Sequence, residues 1–224
     1  MSVVDTIALS MGVAWASGIN LYAAILTLGI LGTGGHIQLP PGLEILTHPA
    51  VIGTAGFMYF LEFFADKIPG VDTAWDAIHT FIRIPAGAVL AARAVGDVSP
   101  EAELIAGLLG GTLAAGTHFT KFGVRALLNL SPEPVTNWVA SVTEDAVVVA
   151  GTFAAVQYPS LFLGFLIVFI LLAIWLLPKI WRALKSVARR IAAWWRGGPG
   201  DTTGDTAGQE GAGRPPPGRE TAAG

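Results

Sequence analysis

Residues 62–83, EFFADKIPGVDTAWDAIHTFIR, set acidic, basic and histidine side chains among long apolar runs. On a helix starting near Asp72, several of these side chains recur at i, i+4, i+7 and i+11 and so share one face. Charges at membrane depth cost on the order of 2.5 to 3.5 kcal/mol each, so they usually face a bundle interior, a watery cavity or the interface. The pattern predicts a polar stripe turned away from lipid, made of Asp72, Asp76, His79 and Arg83.

The composition around this stretch is that of a membrane protein. The chain has 224 residues, of which 53% are hydrophobic and 13% charged, with a mean hydropathy of +0.61. A soluble domain carries about 25% charged residues. The absence of cysteine excludes disulfides, thiolate metal sites and cysteine nucleophiles.

About six hydrophobic segments predict an all-α, polytopic integral membrane bundle over residues 1–178. Residues 7–31 carry no charge and are long enough to span a hydrocarbon core of roughly 30 Å as one helix. Small residues near Gly12 and Gly18 give this helix a face for close packing. The segments 48–64 and 84–95 are short, and the sequence leaves open whether they cross the bilayer fully. The segments are 7–31, 48–64, 84–95, 104–128, 138–156 and 161–177.

Two similar halves of the chain each contain a proline-containing break, at residues 66–69 and 129–134, and Pro85 and Pro178 are further points where a helix can kink or end. An offset of 63 residues pairs Trp75 with Trp138, together with six other identities, and an offset of 98 aligns the glycines of the first and fourth segments. We therefore predict two imperfect internal repeats with proline-broken helices, an arrangement that many secondary transporters use to build a midplane site.

The character of the chain changes after Pro178. Residues 179–196 alternate basic side chains with tryptophan, which predicts an amphipathic helix lying on anionic lipids. By the positive-inside rule the C-terminus is cytoplasmic, in the inner membrane of a bacterium. Residues 197–224 are rich in glycine and proline and are predicted to be disordered.

Four sequence stretches together resemble one known family. They are SGINLY (17–22), FADKIPGVDTAWDAIHTFIR (64–83), GTHFTKFGVRALLNLSPEPVTNW (116–138) and SVTED (141–145). They are similar to the bacterial membrane family catalogued as domain of unknown function 4126. The resemblance covers roughly residues 3–178 and implies a multi-pass bacterial membrane protein, but it assigns no activity to any residue.

The polar stripe has several possible roles. Asp72, Asp76 and His79 offer two carboxylates and an imidazole that could relay protons, bind a cation or hold a divalent metal. Alternatively, they belong to an interfacial helix whose charges face cytoplasmic water. Glu62 and Asp66 either extend the same surface or, for Asp66, mark an ordinary helix end.

A second group of candidate residues follows on the fourth and fifth segments. His118, Lys121 and Arg125 lie at i, i+3 and i+7 and would attract an anionic solute if they line a cavity. The alternative is a structural ion pair with Glu144 and Asp145. These two acids are adjacent, so they point about 100° apart on a helix and cannot share one partner. Glu144 is the preferred interior member, because it shares a face with Asn137 and Ser141.

The acidic candidates outnumber the basic ones, so complete mutual pairing is impossible. Some acids must be hydrated, protonated or bound to a cation, and groups of that kind often mark functional sites. The acids are Glu62, Asp66, Asp72, Asp76, Glu133, Glu144 and Asp145, and the bases are Lys67, Arg83, Lys121 and Arg125.

These features favour a small transporter or ion-conducting protein. The alternatives are a lipid-handling enzyme or translocator, and a structural partner protein without a site. No nucleophile elbow, zinc-protease, Walker or dinucleotide motif is present in the sequence, which makes an enzyme the less favoured reading. We expect no cofactor and no nucleic-acid partner, while a homo-oligomer is possible.

Overall fold

The computed structural model describes residues 1–68, 70–96, 98–130 and 134–196, without the side chains of Pro134 and of residues 194–196. In this part of the chain all regular structure is helical and no strand is present. The elements are α1 (Val3–Thr33), a 3₁₀ helix (Pro41–Thr47), α2 (Pro49–Ala65), α3 (Val71–Val95), α4 (Pro100–Leu128), α5 (Pro134–Gln157) and α6 (Pro159–Arg196).

The architecture is an all-α bundle of membrane type, as the sequence predicts. Among the described residues, four stretches are long and apolar enough to cross a membrane by length and composition, namely Val3–Thr33, Val71–Val95, Val135–Gln157 and Pro159–Ala193. The helix Pro49–Ala65 is apolar but shorter.

The first helix is not the single span that residues 7–31 predict. Asn20 has φ −146° and ψ 97°, an extended conformation inside α1. Its Oδ1 accepts a hydrogen bond from the backbone N–H of Ala23 at 2.9 Å. Asparagine competes well for nearby backbone donors and is a preferred N-cap. Asn20 therefore ends one helical half and caps the next.

The two halves of α1 fold back toward the same end of the bundle. Leu39 packs on Gly32 at the end of the second half, and it also lines a cavity of about 290 Å³ together with Met1 and Thr6 at the start of the first half. A straight helix would separate Thr6 from Gly32 by about 39 Å, at 1.5 Å per residue. The element is thus a helical hairpin with Asn20 at its tip.

Two further hairpins place their tips together at the opposite end from Met1. The predicted breaks at residues 66–69 and 129–134 separate α2 from α3 and α4 from α5. Asn129 Nδ2 donates to both carboxylate oxygens of Asp72, at 2.9 and 3.0 Å, and this contact joins the tips. The polar residues flanking both breaks consequently meet at one end of the bundle.

Small residues bring α1, α3 and α4 into close contact. A Cβ atom on Gly18 would collide with the backbone oxygen of Ala114, and one on Gly87 would collide with the Ala114 side chain. Ser17 Oγ donates to the carbonyl of Arg83 at 2.9 Å. The small-residue face predicted on the first helix is therefore used inside one chain.

Neither Pro85 nor Pro178 ends a helix. Helix α3 runs through Pro85, so residues 84–95 are continuous with the polar stripe and are not a separate short segment. Helix α6 runs through Pro178, so the predicted end of the last span there is wrong. A proline inside a helix removes one backbone hydrogen bond, and beyond this point Ile180 packs on Gly123 of α4.

The described part of the chain divides into a compact unit, Met1–Leu184, and a second unit that begins at Lys185. The division into domains at residues 178 and 196, and the interfacial role of residues 179–196, stay predictions. The tail of residues 197–224 lies outside the described residues, as does Glu133.

Candidate functional site

The predicted stripe on α3 faces the interior of the bundle. Its four side chains are between 0% and 3% exposed, whereas Ile78 on the opposite face is 63% exposed. The alternative in which these charges face cytoplasmic water is therefore wrong. The buried residues are Asp72, Asp76, His79 and Arg83.

Arg83 holds two carboxylates tightly. Its Nη2 donates to Glu62 Oε1 at 2.7 Å and its Nη1 donates to Asp76 Oδ1 at 2.8 Å. All three side chains are 0% exposed. Charge-assisted hydrogen bonds of this length are the strong ones, so Arg83 ties α2 to α3.

Several acids surround Lys121 at longer distances than those between Arg83 and its carboxylates. Its Nζ donates to the backbone oxygen of Ile19 at 3.0 Å, directly before the break in α1. Four carboxylates surround it at 3.4 to 3.6 Å, which is longer than a good charge-assisted hydrogen bond. These belong to Glu62, Asp66, Asp76 and Glu144.

Arg125 forms a fork with Glu144 and reaches the tip of the α2–α3 hairpin. Its Nε and Nη2 donate to the two Glu144 oxygens at 3.0 and 2.8 Å. Nη2 also donates to Asp66 Oδ2 at 3.3 Å, and Asp72 Oδ2 lies 3.9 Å from Nη1. The structural ion pair predicted for Arg125 is present, and the acids around Arg125 and Lys121 disfavour the anion-binding hypothesis.

Asparagines complete the site at the hairpin tips. Asn137, a predicted site residue, donates through Nδ2 to Asn129 Oδ1 at 2.8 Å, and Asn129 in turn holds the Asp72 carboxylate. Asp72 Oδ1 also accepts from the backbone N–H groups of Gly70 and Thr73, at 3.0 and 2.6 Å. Asp72 therefore serves mainly to close the start of α3.

The two histidines have separate partners. His79 Nδ1 lies 2.9 Å from the carbonyl of Trp75, and its Nε2 lies 3.1 Å from the hydroxyl of Tyr22. His118 Nε2 lies 2.7 Å from Thr80 Oγ1. No group of three histidine or acidic side chains in the described ranges could hold a metal ion, so the metal reading of the stripe gains no support.

Asp145, rather than Glu144, is the more buried of the two adjacent acids. It is 8% exposed, whereas the Glu144 side chain is 20% exposed. Asp145 Oδ1 accepts from Asn20 Nδ2 at 3.0 Å and Oδ2 accepts from the Tyr59 hydroxyl at 3.1 Å. The preference for Glu144 as the partner of the interior bases is confirmed by its contacts with Arg125 and Lys121. The sequence did not predict that Asp145 is buried as well, because the turn of about 100° between neighbours directs it toward Asn20 of α1.

Asp145 also borders a groove of about 620 Å³ between α2 and α5, with α1 as the third wall. The other side chains of the groove are mostly apolar. They are Thr27, Leu31, Tyr59, Phe63, Val142, Ala146, Val149, Ala150 and Phe153.

Lys67 lies at the tip of the α2–α3 hairpin and outside the carboxylate network. Its Nζ donates to the carbonyl of Phe63 at 2.9 Å and lies over the rings of Phe63 and Trp138. Burial lowers the pKa of this ammonium. Lys67 is thus held by a backbone oxygen and aromatic faces.

The interior carries more acid than base. We define the charge cluster as five carboxylates and three cations, namely Glu62, Asp66, Asp72, Asp76, Glu144, Arg83, Lys121 and Arg125. Three of its buried carboxylate oxygens have no hydrogen-bond partner in the described part of the chain: Glu62 Oε2, Asp66 Oδ1 and Asp76 Oδ2. The cluster therefore has both the charge and the acceptors for an added proton or cation.

Several participants were not among the predicted site residues. Asn20 and Asn129 hold Asp145 and Asp72, and Tyr59 is the second donor to Asp145. Asn20 is the one strongly polar side chain of its apolar run, which is a signal that could have found it. Tyr59 gives no such signal, because a tyrosine in an apolar helix is ordinary at the membrane interface.

Comparison with known proteins gives one family. A family model described as "Domain of unknown function (DUF4126)" matches residues 7–179. No curated protein and no solved structure matches the chain.

Proposed function

This chain belongs to the family described as domain of unknown function 4126, and because that description carries no activity, we propose its function from the site. We infer a small membrane transporter that couples to protons or to a monovalent cation. Carboxylates of the charge cluster take up the ion, and Lys121 is the movable counter-charge.

The observation that carries this proposal is the surplus of buried acid. Five carboxylates face three cations in the charge cluster, and three carboxylate oxygens lack a partner among the described residues. An uncompensated charge in a low-dielectric interior is costly and is normally relieved by protonation or by a counter-ion. Uptake of one positive charge therefore stabilises the bundle.

Lys121 is suited to move when that charge arrives. Arg83 is fixed by hydrogen bonds of 2.7 and 2.8 Å, whereas the carboxylates around Lys121 lie 3.4 Å or farther from its Nζ. Lysine carries a compact charge on a flexible stem. A cation held by Glu62 and Asp76 would displace the ammonium and disturb its hydrogen bond to Ile19, which connects ion uptake to the break in α1.

The arrangement of helices supports transport in a second way. Broken helices near a midplane charge site are typical of secondary transporters, and α1 is broken beside the charge cluster. Helix α3 shifted by 63 residues falls on 134–158, and α5 is Pro134–Gln157. We keep the internal repeat as part of the proposal, with both hairpin tips pointing the same way.

We also propose an orientation in the bacterial inner membrane. The loop of residues 34–48 contains no lysine or arginine, whereas Lys67 lies at the hairpin tips, and Lys179 flanks Ile180, which packs near the end of α4. The positive-inside rule then puts the tips and the basic C-terminal segment, with its affinity for anionic lipids, in the cytoplasm.

Labelling of single cysteines tests this orientation, since the chain has no cysteine of its own. Val98→Cys and Ile68→Cys replace side chains that are 70% and 54% exposed. A membrane-impermeant maleimide applied to intact spheroplasts should label position 98 and reach position 68 only after lysis. The opposite pattern would invert the proposed orientation.

Charge movement in proteoliposomes tests the transport proposal. Vesicles adsorbed to a solid support receive pH jumps, and Na⁺ or K⁺ jumps at constant pH, while a dye inside parallel vesicles reports electroneutral exchange. We expect a wild-type response to at least one ion that falls at least tenfold in Asp76→Asn and Asp66→Asn.

The matched control is Glu44→Gln, which removes one acid from the exposed 3₁₀ helix and should leave the response unchanged. If folded wild-type protein gives neither current nor a change in internal pH with any of these ions, coupled transport is refuted. An equal response in wild type and in both cluster variants would move the coupling site elsewhere.

A further inference from the structure

The groove beside Asp145 combines an apolar body with one buried acid. Its volume of about 620 Å³ lies within the roughly 300 to 1,000 Å³ typical of sites for drug-sized ligands. Its lining includes the aromatic side chains of Tyr59, Phe63 and Phe153. Such a site suits a ligand that is largely hydrophobic.

Asp145 is the charged residue that lines this groove, and in the described ranges it forms no ion pair with a basic side chain. Both of its hydrogen-bond donors, Asn20 and Tyr59, are neutral. No ion pair within 4.0 Å joins it to a basic side chain in the described ranges. The nearby Lys67 directs its ammonium to the Phe63 carbonyl and ring instead. A buried carboxylate in this setting is neutralised either by a proton or by a positive ligand, and the groove beside Asp145 leaves room for a ligand.

The groove opens on the flank of the bundle. Its wall residues Val142, Val149 and Phe153 are 53%, 46% and 41% exposed, on a face of α5 that is apolar. In a membrane this flank meets hydrocarbon. A ligand that dissolves in the bilayer can therefore enter from the side, whereas a strongly hydrated ion cannot.

We propose that the groove binds a hydrophobic organic cation, with the charge of the ligand against Asp145 and its apolar body between α2 and α5. The rings of Tyr59 and Phe153 favour the same ligand, since cations are attracted to aromatic ring faces, whereas Lys67 already lies over the ring of Phe63. As the assignment of a transport substrate this rests on the proposed function, whereas the binding site itself does not.

Asn20 would connect such a ligand to ion uptake. Its amide donates to Asp145, and its side-chain oxygen caps the second half of α1. The residue before it, Ile19, accepts a hydrogen bond from Lys121. A ligand on Asp145 and an ion in the charge cluster thus act on the same break, one through Asn20 and the other through Ile19.

Equilibrium binding without any gradient tests the proposal. The full chain in lipid nanodiscs is titrated with tetraphenylphosphonium by calorimetry, and with triphenylphosphine oxide as a neutral probe of similar shape. We expect saturable binding of the cation at one site, at least tenfold tighter than that of the neutral probe. Asp145→Asn should weaken cation binding at least tenfold.

A second variant and two controls distinguish loss of the binding site from misfolding of the protein. Ala150→Phe fills the groove without changing charge and should weaken both probes, whereas Val147→Phe adds the same ring to α5 outside the groove. Val147→Phe and Glu44→Gln should bind the cation within twofold of wild type.

The results separate this inference from the proposed function. Cation binding that depends on Asp145, in protein without ion-driven responses, would support the site and refute coupled transport. Equal binding of both probes would identify an apolar lipid site and overturn the inference, as would equal cation affinity in wild type and Asp145→Asn. Absence of saturable cation binding would overturn it as well, whatever the ion responses are.

Discussion

The charge cluster and the groove both contain buried carboxylates, but they satisfy them in opposite ways. In the cluster, Glu62 and Asp76 receive charge-assisted hydrogen bonds of 2.7 and 2.8 Å from Arg83. In the groove, Asp145 receives hydrogen bonds of 3.0 and 3.1 Å from the neutral groups of Asn20 and Tyr59.

This difference suggests separate roles for the two regions: Arg83 in the charge cluster stabilises the fold, whereas Asp145 in the groove is available to a ligand. A guanidinium between two dry carboxylates cannot leave without exposing both to an apolar interior, so Arg83 is structural in effect. A carboxylate held only by neutral donors keeps its charge available to an incoming cation. Substitutions in the two regions should therefore change the free energy of unfolding by different amounts.

Loss of Arg83 should have the largest effect on stability. Arg83→Met leaves Glu62 and Asp76 buried without their counter-charge, and breaking a buried pair in this way costs about 3 to 5 kcal/mol. The free energy of unfolding in detergent, from a denaturant titration, measures the loss.

The control for this substitution is Arg93→Met. Arg93 pairs with Glu103 at 3.6 Å, and the two side chains are 60% and 36% exposed. An exposed pair contributes less than about 1 kcal/mol. Similar losses in the two variants would show that the cluster is hydrated and that its contrast with the groove is wrong.

Asn20, which touches both regions, should have an intermediate effect. Asn20→Ala removes the cap on Ala23 and one donor to Asp145, and loss of such a cap costs about 1 to 2 kcal/mol. Asn20→Ser restores a capping oxygen without the longer amide donor. It should recover most of the stability but not the affinity for tetraphenylphosphonium. Equal recovery of both would mean that the contact with Asp145 does not shape the groove.

Neutralising the groove acid should have the smallest effect on stability. Asp145→Asn removes an unpaired buried charge and keeps an amide oxygen that can still accept a hydrogen bond, so the free energy of unfolding should stay within about 1 kcal/mol of wild type. The same denaturant titration measures it. A loss comparable to that of Arg83→Met would place Asp145 among the structural ion pairs.

Much of the site follows from local spacing. The interval from Asp72 to Arg83 predicts one helix face, and that face is buried. The proline-containing segments 66–69 and 129–134 predict the breaks between α2 and α3 and between α4 and α5. These features depend on helical periodicity and on backbone restrictions, which neighbouring residues determine.

Other features of the fold and the site could not be predicted from local spacing. The break at Asn20 lies in a run whose length and composition favour one continuous span. The burial of Asp145 beside Glu144 depended on where α1 and α2 lie, because its partners Asn20 and Tyr59 come from those helices. Tyr59 became a donor to a buried acid only because α2 packs beside that acid.

The sequence by itself determined the membrane class, most of the helical segments, the shared helix face of the polar stripe and the excess of acid, because these depend on composition, on segment length and on the period of 3.6 residues per turn. The tertiary structure alone decided that Arg83 takes Glu62 and Asp76, that Lys121 lies among four carboxylates and that Asp145 has only neutral donors. Partners in these contacts lie up to 125 residues apart in the chain, and electrostatic interactions depend on distance in space rather than along the sequence.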